Sequence, residues 1–70
     1  MHMEDLKAQM FKDVEEGIIY IKEKGPKDFN AIATAIMLYD LKRAMLEAEQ
    51  FEDLAVFRKL EIKHGFDIKV

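Results

Sequence analysis

Between Phe29 and Tyr39 the chain carries no charged side chain, and Asp28 and Asp40 bound the stretch on either side. This run constrains the fold more than any other feature, because a chain of 70 residues has little interior in which to hide it. A domain of that size buries only about 60% of the surface its unfolded chain exposes. Its core supplies no more than roughly 3–5 kcal/mol unless something staples it. No cysteine is present, so neither a disulfide nor a thiolate metal site is available. The run falls short of the roughly 18 apolar residues of a membrane span, and Asn30 and Thr34 interrupt it. From Ala31 to Tyr39 it is apolar nearly all round, and a helix of that kind is buried on more than one side. The expectation is a central helix sheathed by its neighbours, with no cavity left for chemistry.

The flanking segments supply the neighbours. Leu6, Met10, Val14, Ile18 and Ile21 recur by fours and threes, which makes one helical stripe, widened by Phe11. Gly17 in mid-helix costs about 1 kcal/mol relative to Ala. Either a second helix approaches closely there or the position is simply tolerated. Gly25-Pro26 ends this helix, since Gly suits the left-handed site past a helix end and Pro cannot continue the ladder. Asp28 or Asn30 can cap the next helix, and Phe29 can pack back on its first turn. The second half of that helix is amphipathic: Leu38, Leu41, Met45 and Ala48 share a stripe, while Asp40, Lys42, Arg43 and Glu47 carry the charge. A third helical segment offers Phe51, Leu54, Ala55, Phe57 and Ile62 to the core. Glu49-Gln50 contains no strong breaker, so a continuous helix from Phe29 to Lys63, which would require a dimer, is the alternative. Gly65 closes the last helix, with Phe66 folding back on Leu60. The tail Phe66–Val70 alternates apolar and charged residues. With no second strand in the chain it reads as an extended tail lying on the bundle, the alternative being addition to another chain's sheet edge.

The expected fold class is all-α. It is a small three-helix bundle in a single domain, residues 1–70, with helices at about 4–24, 29–48 and 51–64. The second helix is central and a short extended C-terminal tail follows the third.

Half of the residues are hydrophobic and 36% are charged, which is a globular rather than a disordered composition. The net charge of −3 lacks the electrostatic footprint of a general phosphate binder. The N-terminus has no basic region followed by an apolar one, so no signal peptide is expected and the expected location is cytoplasmic. Met3 reads as a natural start, with Met1 and His2 as an added remnant.

Enzymatic chemistry finds no foothold. There is no Ser and no Cys, so the common nucleophilic triads are excluded. Gly17, Gly25 and Gly65 lie too far apart for a phosphate loop. Glu61 and His64 have the Glu-x-x-His spacing of bundle di-metal sites, but those need two such pairs and two further Glu residues. A favourable interaction of His64 with the helix dipole explains it better. Asp13, Glu15 and Glu16 cluster on one turn and read as a solvated acidic face. They lack the contrasting environments that separate carboxylate pKa values for catalysis. No catalytic residue, metal or cofactor is expected.

Residues 45–62, from Met45 through Glu49-Gln50, Phe51-Glu52, Ala55, Phe57 and Arg58 to Ile62, resemble the UVR motif. This is the helical hairpin of bacterial excision-repair subunits and some protease adaptors. Glu49-Gln50 matches its turn, Phe51-Glu52 its aromatic and acid, Ala55 its second small residue, Phe57 its apolar position and Arg58 its Arg. Leu54 stands where a small residue is usual, and Lys59 where Asp usually follows the Arg. The resemblance implies a hairpin that pairs with another hairpin in repair or adaptor complexes, without catalysis.

The leading functional expectation is a non-catalytic protein–protein interaction module or accessory subunit, with another protein or a second copy as partner and no membrane. Residues off the main stripes are its candidate contacts: Ile19, Tyr20, Met37, Tyr39, Leu46, Val56 and Phe66. The alternative is a single-stranded nucleic-acid accessory protein. It would use Lys42, Arg43, Arg58, Lys59 and Lys63 on one side of the second hairpin, with Tyr39 or Phe66 available to stack on bases.

Overall fold

A computed structural model describes residues 3–70, so the reading of Met1 and His2 lies outside the described residues. Three α-helices follow one another: α1 (Met3–Lys24), α2 (Phe29–Glu47) and α3 (Phe51–Lys63). Each helix packs on both others, and no strand occurs among the described residues. At 1.5 Å per residue, the 22 residues of α1 account for most of the 36 Å long axis.

Each helix end has a local cause. Gly25, at φ +83°, donates its N–H to the Ile21 carbonyl and stops α1. The Asp28 carboxylate accepts the Ala31 N–H at 2.9 Å and starts α2. α2 ends in a Schellman turn, with Gln50 N–H donating to Met45 O and Glu49 N–H to Leu46 O. The left-handed position of that turn holds Glu49, at φ +56°. The continuous helix from Phe29 to Lys63 is therefore excluded, although neither Gly nor Pro marks the break. α3 ends in a second Schellman turn around Gly65, at φ +63°, where Phe66 N–H donates to Glu61 O at 2.8 Å. Lys22 of α1 donates to the His64 carbonyl at the same end.

Ion pairs fix the helix directions. Lys7 meets Asp53, and Glu15 meets Lys63 and His64, so α1 and α3 run parallel. α2 runs back between them. Gly17 is a site of close approach: a Cβ there would lie 3.3 Å from Thr34 Cγ2 and 3.4 Å from Leu38 Cδ1.

The core is Val14, Ile18, Leu38, Met45, Phe57 and Ile68, with Met10, Phe11, Ile21, Tyr39, Leu41, Leu54, Leu60 and Phe66 packed around it. The structure departs from the sequence expectation on α3 and on α2. On α3, Phe51, Ala55 and Ile62 face outward, because the buried line passes through Phe57 and Glu61. One residue along a helix turns the side chain by about 100°, so Ile62 leaves the core when Glu61 enters it. On α2, the apolar run is not sheathed all round. Phe29, Ile32, Ile36 and Met37 are exposed, and Phe29 does not pack back on the first turn.

The tail from Phe66 lies extended along the bundle, with Ile68 buried. A second helix and a third hold it by its backbone. Glu61 Oε2 accepts the Ile68 N–H at 2.6 Å, and Lys42 Nζ donates to the Ile68 carbonyl at 2.6 Å.

Candidate functional site

α2 has two apolar faces. One, through Ala31, Leu38 and Met45, repeats every seven residues and enters the core. The other runs through Phe29, Ile32, Ala33, Ile36 and Met37, recurs by threes and fours, and faces away from it. Phe29 is 82% exposed and Met37 70% exposed. Beyond Met37 the same face turns polar at Asp40, Arg43 and Glu47. Because both faces are apolar, the sequence carries no single-stripe signal to separate inside from outside.

An open apolar groove borders this ridge on each side. The first, about 500 Å³, lies between the end of α1, the tail and α2, and includes Ile21, Ile32, Ile36, Tyr39 and Phe66. The second, about 530 Å³, lies between the first half of α1 and α2, and includes Leu6, Met10, Met37 and Leu41. Both linings are mostly apolar, the polar side chains being Asp67 and Lys69 of the tail in the first and Gln9, Asp13 and Thr34 in the second.

The expected contact residues are dispersed. Met37 stands on the ridge, and Tyr39 and Phe66 are half-buried in the wall of the first groove. Ile19 on α1, Leu46 at the end of α2 and Val56 on α3 are exposed elsewhere, and Tyr20 is half-buried with the Lys24 ammonium 5.9 Å from its ring centre. Sequence reasoning missed Phe29, Ile32 and Ile36 as surface residues. The available signal was the excess of apolar side chains in α2 over the interior that a 70-residue chain can provide.

The basic residues also separate. Lys42 is nearly buried, bonded to Glu61 Oε1 at 2.7 Å and to the tail, with its ammonium 5.7 Å from the Phe57 ring centre. Arg43 pairs with Glu47 at 2.9 Å. Arg58 pairs with Asp67 at 3.1 Å and lies 3.6 Å from Glu61. Lys63 turns to α1 and pairs with Glu15 at 2.8 Å. Lys59 is exposed and has no ion pair among the described residues. The five do not form one free cationic strip.

Glu61 and His64 diverge as well. Glu61 is fully buried against Lys42 and Ile68, while His64 Nε2 lies 2.7 Å from Glu15 Oε2. Glu15 accordingly leaves the acidic face of Asp13 and Glu16 to bridge α1 and α3. The Lys63 ammonium first, and the His64 ring second, hold its carboxyl below the ordinary carboxylate value. Among the described residues no group of three or more His, Asp or Glu side chains is placed to hold a metal ion. No described helix is long and apolar enough to cross a membrane.

Comparison of the chain with protein-family models, with curated proteins and with solved structures gives no significant match.

Proposed function

We propose that this protein is a non-catalytic helical interaction module that binds another protein chain through the outer face of α2. The observation that carries the reading is the uncovered ridge of Phe29, Ile32, Ile36 and Met37 between two apolar grooves. These four side chains together expose on the order of 400 Å², the size of the largest apolar patch on a typical monomer. The absence of Ser and Cys leaves no common nucleophilic triad, which supports a binding rather than a catalytic role. The resemblance of residues 45–62 to a UVR hairpin favours a helical partner in a repair or adaptor assembly.

The test is affinity capture with the wild-type chain and with Ile36→Lys, read out for protein and nucleic acid. A protein retained by the first and lost from the second is the expected result. Equal retention by both, or retention of nucleic acid alone, rejects the proposal.

A further inference from the structure

We infer that the chain seated on this face is a second copy of the protein, with α2 packed antiparallel on α2 about a two-fold axis passing by Ala33. The inference rests on the preceding reading of the α2 face and assigns its occupant.

The pattern along the face is self-complementary. Ala33 sits at its middle, exposed and small, with Phe29 four residues before it and Met37 four residues after. An antiparallel pair centred there sets each Phe29 ring against the other copy's Met37, a favourable sulfur–aromatic contact. It also lets the two backbones approach closely where Ala33 meets Ala33. Opposite charges stand at the two ends of the face: Lys27 in the turn that precedes α2, and Asp40 on α2 seven residues after Ala33. Both are exposed, and neither has an ion pair among the described residues. A two-fold contact repeats every interaction twice, so Lys27 of each copy faces Asp40 of the other. A parallel pair would instead set Lys27 beside Lys27 and Asp40 beside Asp40, like charges at both ends.

The area suits a reversible dimer. Two patches on the order of 400 Å², with the polar rim added, come to roughly the 1,000 Å² that a specific interface must clear. A weak, concentration-dependent dimer is expected, with a dissociation constant of about 1–100 μM.

The chain has no cysteine, which permits a direct geometric test. Single variants Ala33→Cys, Phe29→Cys and Met37→Cys, the double variant Phe29→Cys/Met37→Cys, and a control Val56→Cys on α3 are oxidised and resolved by size. Ala33→Cys and the double variant should form covalent dimers. Phe29→Cys and Met37→Cys alone should not, since each lies about 12 Å from its own symmetry mate at 1.5 Å per residue. Val56→Cys should stay monomeric. Sedimentation equilibrium of the cysteine-free protein should show a monomer–dimer equilibrium that Ile36→Lys abolishes with helicity retained by circular dichroism. Asp40→Lys should weaken it by about tenfold and Lys27→Asp/Asp40→Lys should restore it. A wild-type chain that stays monomeric at millimolar concentration overturns the inference, as do cross-links through all three single variants. Should a different protein still bind wild type and not Ile36→Lys, the role of the face stands and only its occupant changes.

Discussion

The carboxylate of Glu61 accepts the backbone N–H of Ile68 at 2.6 Å, seven residues further along the chain and on the far side of a helix end. Lys42 completes the ring, donating both to Glu61 and to the Ile68 carbonyl. Both backbone polar groups of Ile68 are thereby satisfied by side chains, as a neighbouring strand would otherwise do. Every buried side-chain polar atom among the described residues has a hydrogen-bond partner. The ion pair links α2, α3 and the tail at one point. Removing one member leaves the other buried without compensation, which typically costs about 3–5 kcal/mol. Glu61→Ala should therefore destabilise the fold by about 3 kcal/mol in urea unfolding. Lys42→Met/Glu61→Met should cost less than Glu61→Ala alone, because no lone charge is left inside. A double variant worse than the single would show that the tail bonds outweigh the charge pairing.

The turn between α2 and α3 holds a non-glycine residue in a left-handed conformation. Glu49 occupies the left-handed position of a Schellman turn at φ +56°, where an L side chain costs roughly 1–2 kcal/mol and Gly costs little. Glu49→Gly should raise the urea midpoint by the equivalent of about 1 kcal/mol with an unchanged slope. A lowered midpoint would mean that the Glu49 side chain contributes more than its backbone geometry takes away.

The contrast between these two sites shows what the sequence can and cannot reveal. Helix ends at Gly25 and Gly65 were legible because glycine is the residue a left-handed position selects. The break at Glu49-Gln50 was placed correctly between helices at about 29–48 and 51–64, but less firmly, because the left-handed position there holds Glu rather than Gly and a continuous helix stayed open as the alternative. The tail along the bundle was legible from its period of two and the lack of a second strand. Glu61 was hidden for a different reason. Periodicity searches score an acid as outward-facing, and only the arrival of Lys42 from another helix reverses that. The outer face of α2 was misread because an all-round apolar helix looks the same whether its second side is covered within the chain or by another molecule.

Gly17 tests the packing of α1 on α2. Its helix propensity favours replacement by Ala by about 1 kcal/mol, but the new methyl would press on Thr34 and Leu38 at 3.3–3.4 Å. The two effects are of similar size, so Gly17→Ala should change stability by less than about 1 kcal/mol. Gly17→Leu has no such balance and should cost about 2–3 kcal/mol through overpacking. Thermal unfolding of the pair against wild type is sufficient to decide. Equal stability of the Leu variant would show that the helices separate freely.

The bridge from Glu15 to Lys63 and His64 gives the fold a pH dependence. The folded pKa of Glu15 is lowered, with the Lys63 hydrogen bond the largest cause and the His64 bond next. The unfolded chain therefore binds the proton more readily than the native one. The contribution of Glu15 to stability is full above the ordinary carboxylate value and is lost as pH falls through the lower folded value. Glu15→Gln should remove part of the acid-side loss, giving a flatter curve of urea midpoint against pH below about 5. Parallel curves for the two proteins would count against the bridge. High salt should shrink the difference between them, because Lys63 is solvent-exposed.

The ridge on α2 separates stability from association. Phe29 and Ile36 make little use of the core, so replacing them should leave the fold nearly unchanged. Surface substitutions away from caps and networks usually fall within about 0.5 kcal/mol. Phe29→Ala and Ile36→Lys should each unfold in urea within about 0.5 kcal/mol of wild type, whereas Phe57→Ala, at a fully buried site, should cost about 3–5 kcal/mol. Self-association should respond in the opposite order and be lost in Ile36→Lys. If Ile36→Lys instead unfolded the chain at low concentration, where wild type is monomeric, the outer face of α2 would belong to the core of the monomer, and its role in binding would fall with it.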